Sequence, residues 1–83
     1  MMKPTIHLNG SGRATLVSQA LDAKHAIGLA VLALEAAAPN ARDYYPQGPL
    51  AYGKAAAEHR ERLEKLQSVY REIVELHEHA VDG

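Results

Sequence analysis

Eighty-three residues, a net charge of −1 and no cysteine already narrow the choices. A chain this short makes one small domain at most, and two helices alone bury too little surface to be comfortably stable. Without disulfides or thiolate zinc sites to reinforce the core, self-association is the expected remedy, and the near-neutral charge disfavours binding to a nucleic acid polymer.

The charge is unevenly placed. Residues 1–54 carry five basic groups against three acidic, and residues 55–83 carry four against seven, so an anion site belongs to the first part of the chain. The start, Met1 to Gly10, has no apolar run of signal-peptide length, and the expected location is the cytoplasm. Thr5-Ile6-His7-Leu8-Asn9 alternates polar and apolar residues and runs into the turn pair Asn9-Gly10. That pattern predicts a short strand or an ordered extended arm over 5–9. It has no stability alone, so it must pair with a copy or lie along a helix groove.

Ser11 is placed to cap a first helix over 12–38. Leu16, Ala20, Ala23, Ile27, Ala30, Leu34 and Ala37 step by threes and fours as one apolar stripe. Ser18, Gln19, Asp22 and Lys24 give the first half a polar face. From Ala26 onward the helix is apolar nearly all round, because Leu29, Leu32, Ala33 and Ala36 cover the opposite side. One partner helix cannot cover that circumference. Gly28 and the alanines would let another backbone come close. The run Ala26 to Ala38 spans about 13 residues and contains Glu35, where a bilayer span needs roughly 20. It therefore reads as a buried helix, with no membrane association expected. Pro39 ends it.

Residues 39–53 form a loop with a helical turn at 49–52, where Gly48 would cap and Pro49 would open the first turn. A second helix is predicted over 54–81. Its seam, Ala56, His59, Leu63, Leu66, Tyr70, Ile73, His77 and Ala80, alternates spacings of three and four. Val69 and Leu76 add a second strip, and Glu58–Arg62 and Glu61–Lys65 are i,i+4 pairs on the outer face. The fold class is all-α: a long antiparallel helical hairpin with a short extended N-terminal segment, self-associating into a helical-bundle oligomer.

Catalysis finds no machinery. Ser11 reads as a cap, Ser18 and Ser68 lie on helix surfaces, and Gly10-Ser11-Gly12-Arg13 lacks the glycine-lysine pair of a phosphate-binding P-loop. The five histidines do not make a metal site. His77 and His79 point roughly 200° apart on a helix, and no Glu stands three residues before a His. Glu75 and His79 share a face and could bind one metal weakly or simply pair. His59 and His77 fall on the seam. No catalytic residue, metal or cofactor is expected.

Two loops remain. Asn9, Gly10, Ser11 and Arg13 would present backbone amides and a cation at a helix start, a setting that favours phosphate. A flexible helix start with a cap explains the same residues. The second loop holds three of the four tyrosines in Asn40 to Gly53. Arg42 can grip a phosphate or carboxylate, and Asp43 and Gln47 can bond a sugar or base. Tyr44 and Tyr45 can stack on a base. Local pairing of Arg42 with Asp43, with the tyrosines covering a subunit interface, is the competing reading. The loops lie at opposite ends of the first helix and cannot share a small ligand within one chain. In an antiparallel oligomer the Arg13 end of one subunit can lie beside the Arg42 loop of another, making an intersubunit pocket.

In two stretches, Ile6 to Ser11 and Asn40-Ala41-Arg42-Asp43-Tyr44-Tyr45-Pro46-Gln47-Gly48, the chain resembles a group of short, largely uncharacterised proteins of phages and prophages. The resemblance covers most of the chain. It implies a phage-encoded, non-enzymatic accessory protein acting in the host bacterial cytoplasm. By analogy with small oligomeric phage proteins, one role is sequestration of a nucleotide signal of host immunity, with a phosphorylated ligand as partner. The alternative is a protein-interaction module that uses the Tyr-rich loop to inhibit or scaffold a host or phage protein.

Overall fold

A computed structural model describes residues 1–7, 10 and 12–83. Its elements are α1 (Arg13–Ala36), two single 3-10 turns (Ala41–Asp43 and Tyr45–Gln47), and α2 (Ala51–Asp82). The helices pack antiparallel: the α1 start meets the last turn of α2, and Gly28 lies against the Tyr70 ring at mid-length. The all-helical expectation and the hairpin topology are therefore met. No strand occurs among the described residues. Residues 5–7 have no regular secondary structure, and Leu8 and Asn9, the rest of the predicted strand, lie outside the described residues. The part of the N-terminus that lies along a helix groove is the stretch before them. Met2 and Pro4 lie over a groove between the helices walled by Leu16, Ala20, Ile73 and Ala80, and His79 Nε2 donates to the Pro4 carbonyl at 2.7 Å.

Helix boundaries depart from the expected ones for local reasons. The N-cap of α1 is Gly12, in extended backbone with no hydrogen bond from a capping side group, so the cap falls one residue beyond the predicted Ser11, which is outside the described residues. At the other end the amide of Ala37 is shared between the carbonyls of Ala33 and Leu34. The helix therefore stops at Ala36, two residues short of the predicted 38, because Ala38 precedes Pro39 and is kept out of helical backbone. Gly48 does not cap α2, nor is Pro49 its first residue. Gly48 holds φ 110° and ψ 170°, and a turn closed by the Ala51 amide on the Gly48 carbonyl at 3.4 Å follows it. The helix then starts at Ala51 with Leu50 as N-cap. Only glycine adopts that φ and ψ without strain. An added methyl at Gly48 would meet nothing within 4 Å, so the penalty for Gly48→Ala is one of backbone alone. It is expected to be about 1 kcal/mol, read as a lower urea midpoint with an unchanged slope.

The α2 seam is as predicted: its eight residues are all partly covered or, for Ala80, buried. The second strip is only half used, since Leu76 is partly covered and Val69 is exposed. The α1 stripe drifts. Leu16, Ala20, Ala23, Ile27 and Leu34 face α2, but Ala30 and Ala37 are exposed and Val17, Lys24, Gly28 and Val31 stand in the contact. A straight helix turns 3.6 residues per turn, so a contact stripe against one neighbour shifts across its surface. Glu58 and Arg62 approach to 3.7 Å, the one ion pair among the described residues. It is exposed, and such pairs contribute a few tenths of a kcal/mol.

This hairpin has almost no interior. Ala80 is the one buried apolar residue among those described, and α1 has none. The molecule is 61 Å long and about 20 Å across, with a radius of gyration of 18.4 Å, where a compact protein of this length would have about 12 Å. It exposes 6143 Å², whereas a compact monomer of 9.0 kDa exposes about 4,900 Å². Leu21, Leu29 and Leu32 are all about half exposed or more. By length and composition α1 would also be apolar enough to cross a bilayer, although Asp22 and Lys24 sit near its middle.

Candidate functional site

The predicted site residues fall into two sets at opposite ends of the rod. At the α1 start, Gly10 lies so close to the His7 ring that an added methyl would come within 2.7 Å of it. Asn9 and Ser11 are outside the described residues. Arg13 is committed within the protein. One guanidinium nitrogen, Nη1, donates to the carbonyls of Ala80 and Val81 at 2.8 and 2.9 Å, and Nη2 donates to the Gly83 main-chain oxygen at 2.6 Å. These are the carbonyls that the last turn of a helix cannot satisfy itself, and they lie at the negative end of the helix dipole. The Arg13 guanidinium therefore caps the C-terminus of α2. The sequence did not reveal this role, because it depends on which helix end lies beside Arg13. His79, expected to face Glu75, turns to Pro4 instead. Together Arg13 and His79 tie both sides of the α2 terminus to the N-terminal part of the protein.

The second set forms a compact knuckle. The Asn40 side chain accepts from the Arg42 amide at 3.0 Å, and main-chain bonds from Asp43 to Asn40 and from Tyr44 to Ala41 close the first turn. Bonds from Gln47 to Tyr44 and from Gly48 to Tyr45 close the second. Tyr44 joins the turns in near-helical backbone, and Pro46 fixes φ in the second. Arg42 stands in the first turn and Tyr45 opens the second. Tyr45 is 71% exposed and Tyr44 partly covered. Arg42, Asp43 and Gln47 are exposed. No ion pair joins Arg42 to Asp43. The knuckle thus holds a cation, a carboxylate, an amide and an aromatic face on a fixed backbone. Leu50, 83% exposed, and Tyr52 extend this end with apolar surface that sequence reasoning passed over.

A third feature lies between the two ends. An open groove of about 790 Å³ runs along the middle of the hairpin, bounded by Leu21, His25, Gly28, Leu29 and Leu32 of α1 and by Tyr70 of α2. Its signal was present in the sequence, as the leucines opposite the predicted stripe. No group of three or more His, Asp or Glu side chains among the described residues is arranged to hold a metal ion. Comparison with protein-family models, curated proteins and solved structures gave no match.

Proposed function

We propose that this protein is a non-enzymatic binding protein that works as a homo-oligomer and holds a small anionic, nucleotide-like ligand at the Arg42–Tyr45 knuckle, in a pocket completed by a neighbouring subunit. The observation that carries this reading is the knuckle itself: an exposed Arg42 and an exposed Tyr45, three residues apart in sequence, on two hydrogen-bonded turns. A rigid backbone lowers the entropy lost on binding, Arg42 matches a phosphate, and Tyr45 gives a base a surface to stack on. The other wall is the α1 start of a second subunit, where Arg13 would have to share its guanidinium between the α2 carbonyls and the anion. Arg42 is therefore the principal anion contact. The resemblance to phage and prophage proteins supplies a setting: capture of a nucleotide signal in the host cytoplasm.

Native mass spectrometry of gently purified protein tests the reading. A small mass that leaves on denaturation, together with a thermal shift when that compound is added back, is the expected result. Arg42→Ala should remove the shift while leaving the oligomer in place. If wild-type protein carries no added mass and no phosphorylated nucleotide moves its melting point, the ligand reading fails. A protein retained on the wild type and lost on Tyr45→Ala would then favour the alternative, an interaction module. The exposed Tyr45, Leu50 and Tyr52 at this end are the observation behind that alternative.

A further inference from the structure

The mid-hairpin groove has a spacing that reads alike in both directions. Of the seven residues that α1 gives it, Leu21, His25, Gly28 and Leu32 are separated by four, three and four. Turned end over end, the series places leucine on leucine and histidine on glycine. A surface that is its own complement is what an isologous twofold interface requires. We infer that the groove is the contact between two copies of this protein, with α1 packed antiparallel on α1 of the second copy and the twofold axis between Ala26 and Ile27. This deepens the oligomer assumed under the proposed function and rests on that part of it, not on the ligand.

Three observations choose a second copy as the occupant. The first is area. Each copy exposes 6143 Å², about 1,300 Å² more than a compact protein of its mass. A stable dimer needs about 800 Å² from each partner, so the surplus is large enough to supply it. The second is shape. Gly28 has no side chain and is backed by the Tyr70 ring, 3.4 Å from where a Cβ would stand. It leaves a notch in the α1 surface into which the exposed His25 of the second copy fits, and close approach at a glycine lets the flanking leucines meet. The third is register. The pairing that sets Leu21 on Leu32 and His25 on Gly28 also sets Ser18 opposite Glu35, where a hydroxyl can donate to a carboxylate. It carries Gly12 and Arg13 of one copy to the Asn40–Ala41 end of the other, next to Arg42 of the knuckle. One interface thus covers the leucines and builds the composite pocket at both ends of the dimer.

The protein has no cysteine, so single thiols report contacts cleanly. Leu21 and Leu32 are 48% and 62% exposed, and Leu21→Cys and Leu32→Cys should leave the hairpin folded, with helicity checked by circular dichroism. In the inferred register Leu21 lies about 16 Å along the axis from its own copy, beyond the roughly 7 Å that a disulfide can bridge. Mixing the two variants under mild oxidation should give a covalent dimer several-fold in excess of that from either variant alone. Leu32→Glu, a charge placed at the contact, should sediment as a monomer with its helicity retained. The inference is overturned if either cysteine variant alone cross-links as well as the mixture, or if wild-type protein is monomeric at micromolar concentration. It is also overturned if the wild type floats with lipid vesicles instead of dimerising. A disulfide between the Leu21→Cys and Leu32→Cys variants, in protein that binds no nucleotide, would support the interface while refuting the ligand, so the two ideas fail separately.

Discussion

Arg13→Ala is expected to lower the stability of the hairpin by about 2 kcal/mol, a fall of roughly 10 °C in melting temperature for a domain of this size. The three bonds from Arg13 to the carbonyls of Ala80, Val81 and Gly83 are charge-assisted, and each would be worth about 1.5–3 kcal/mol if fully sheltered. Two of them are exposed, where water can replace the donor, and this reduces the total to the figure given. The loss has a location. Amide exchange should quicken over the last turn of α2 and in the N-terminal arm that His79 holds there, and not at the Asn40–Gly48 knuckle. Arg13→Lys should recover part of the stability, since a single ammonium can reach one or two of the carbonyls but lacks the planar fork. Unchanged exchange in the last turn of α2 would show that the cap is not formed in solution. The same variant bears on the ligand. An anion drawing on Arg13 must compete with three carbonyls, so Arg13→Ala should weaken nucleotide binding less than Arg42→Ala does.

What was legible in the sequence followed from periodicity, and what was not followed from contacts between distant residues. The α2 seam was readable because spacings of three and four persist from Ala56 to Ala80, and each of those residues is partly covered or buried. The end of α1 was readable to two residues, since Pro39 is a local constraint. The α1 stripe was read less well. A helix that is apolar nearly all round has no single preferred face, so periodicity could not choose Val31 over Ala30. The start of α2 was expected at 54 and falls at Ala51, and the turn before it was misassigned because Gly48 was read as a cap, whereas its φ is 110°. The knuckle residues were legible as unusual composition, but their 3-10 backbone was not. The cap by Arg13 was invisible, because sixty-seven residues separate it from Ala80 and only the antiparallel packing brings them together.

The melting temperature of the wild-type protein should rise with its own concentration, by about 4 °C for each tenfold increase. Unfolding that is coupled to dissociation of a dimer gains or loses about 1.4 kcal/mol per tenfold change in protein. Spread over the unfolding entropy of two 83-residue subunits, that gives the stated shift. A hairpin stable by itself would show none. The proposed dependence on a second copy rests on a balance of terms rather than a missing contact. Ordering each residue opposes folding by about 1–2 kcal/mol, and the offset must come mainly from buried apolar area. Here α1 has no buried residue and keeps Leu21, Leu29 and Leu32 in water. The cap, the arm and the knuckle fix the ends of the hairpin but bury little between them. Covering the α1 groove adds apolar burial along its middle, where the two helices alone leave it open. Leu32→Glu should therefore abolish the concentration dependence and melt at or below the wild-type value reached at the lowest concentration. A slope that survives this substitution would move the stabilising contact to the other exposed flank of α1, lined by Ala26, Ala30 and Ala33.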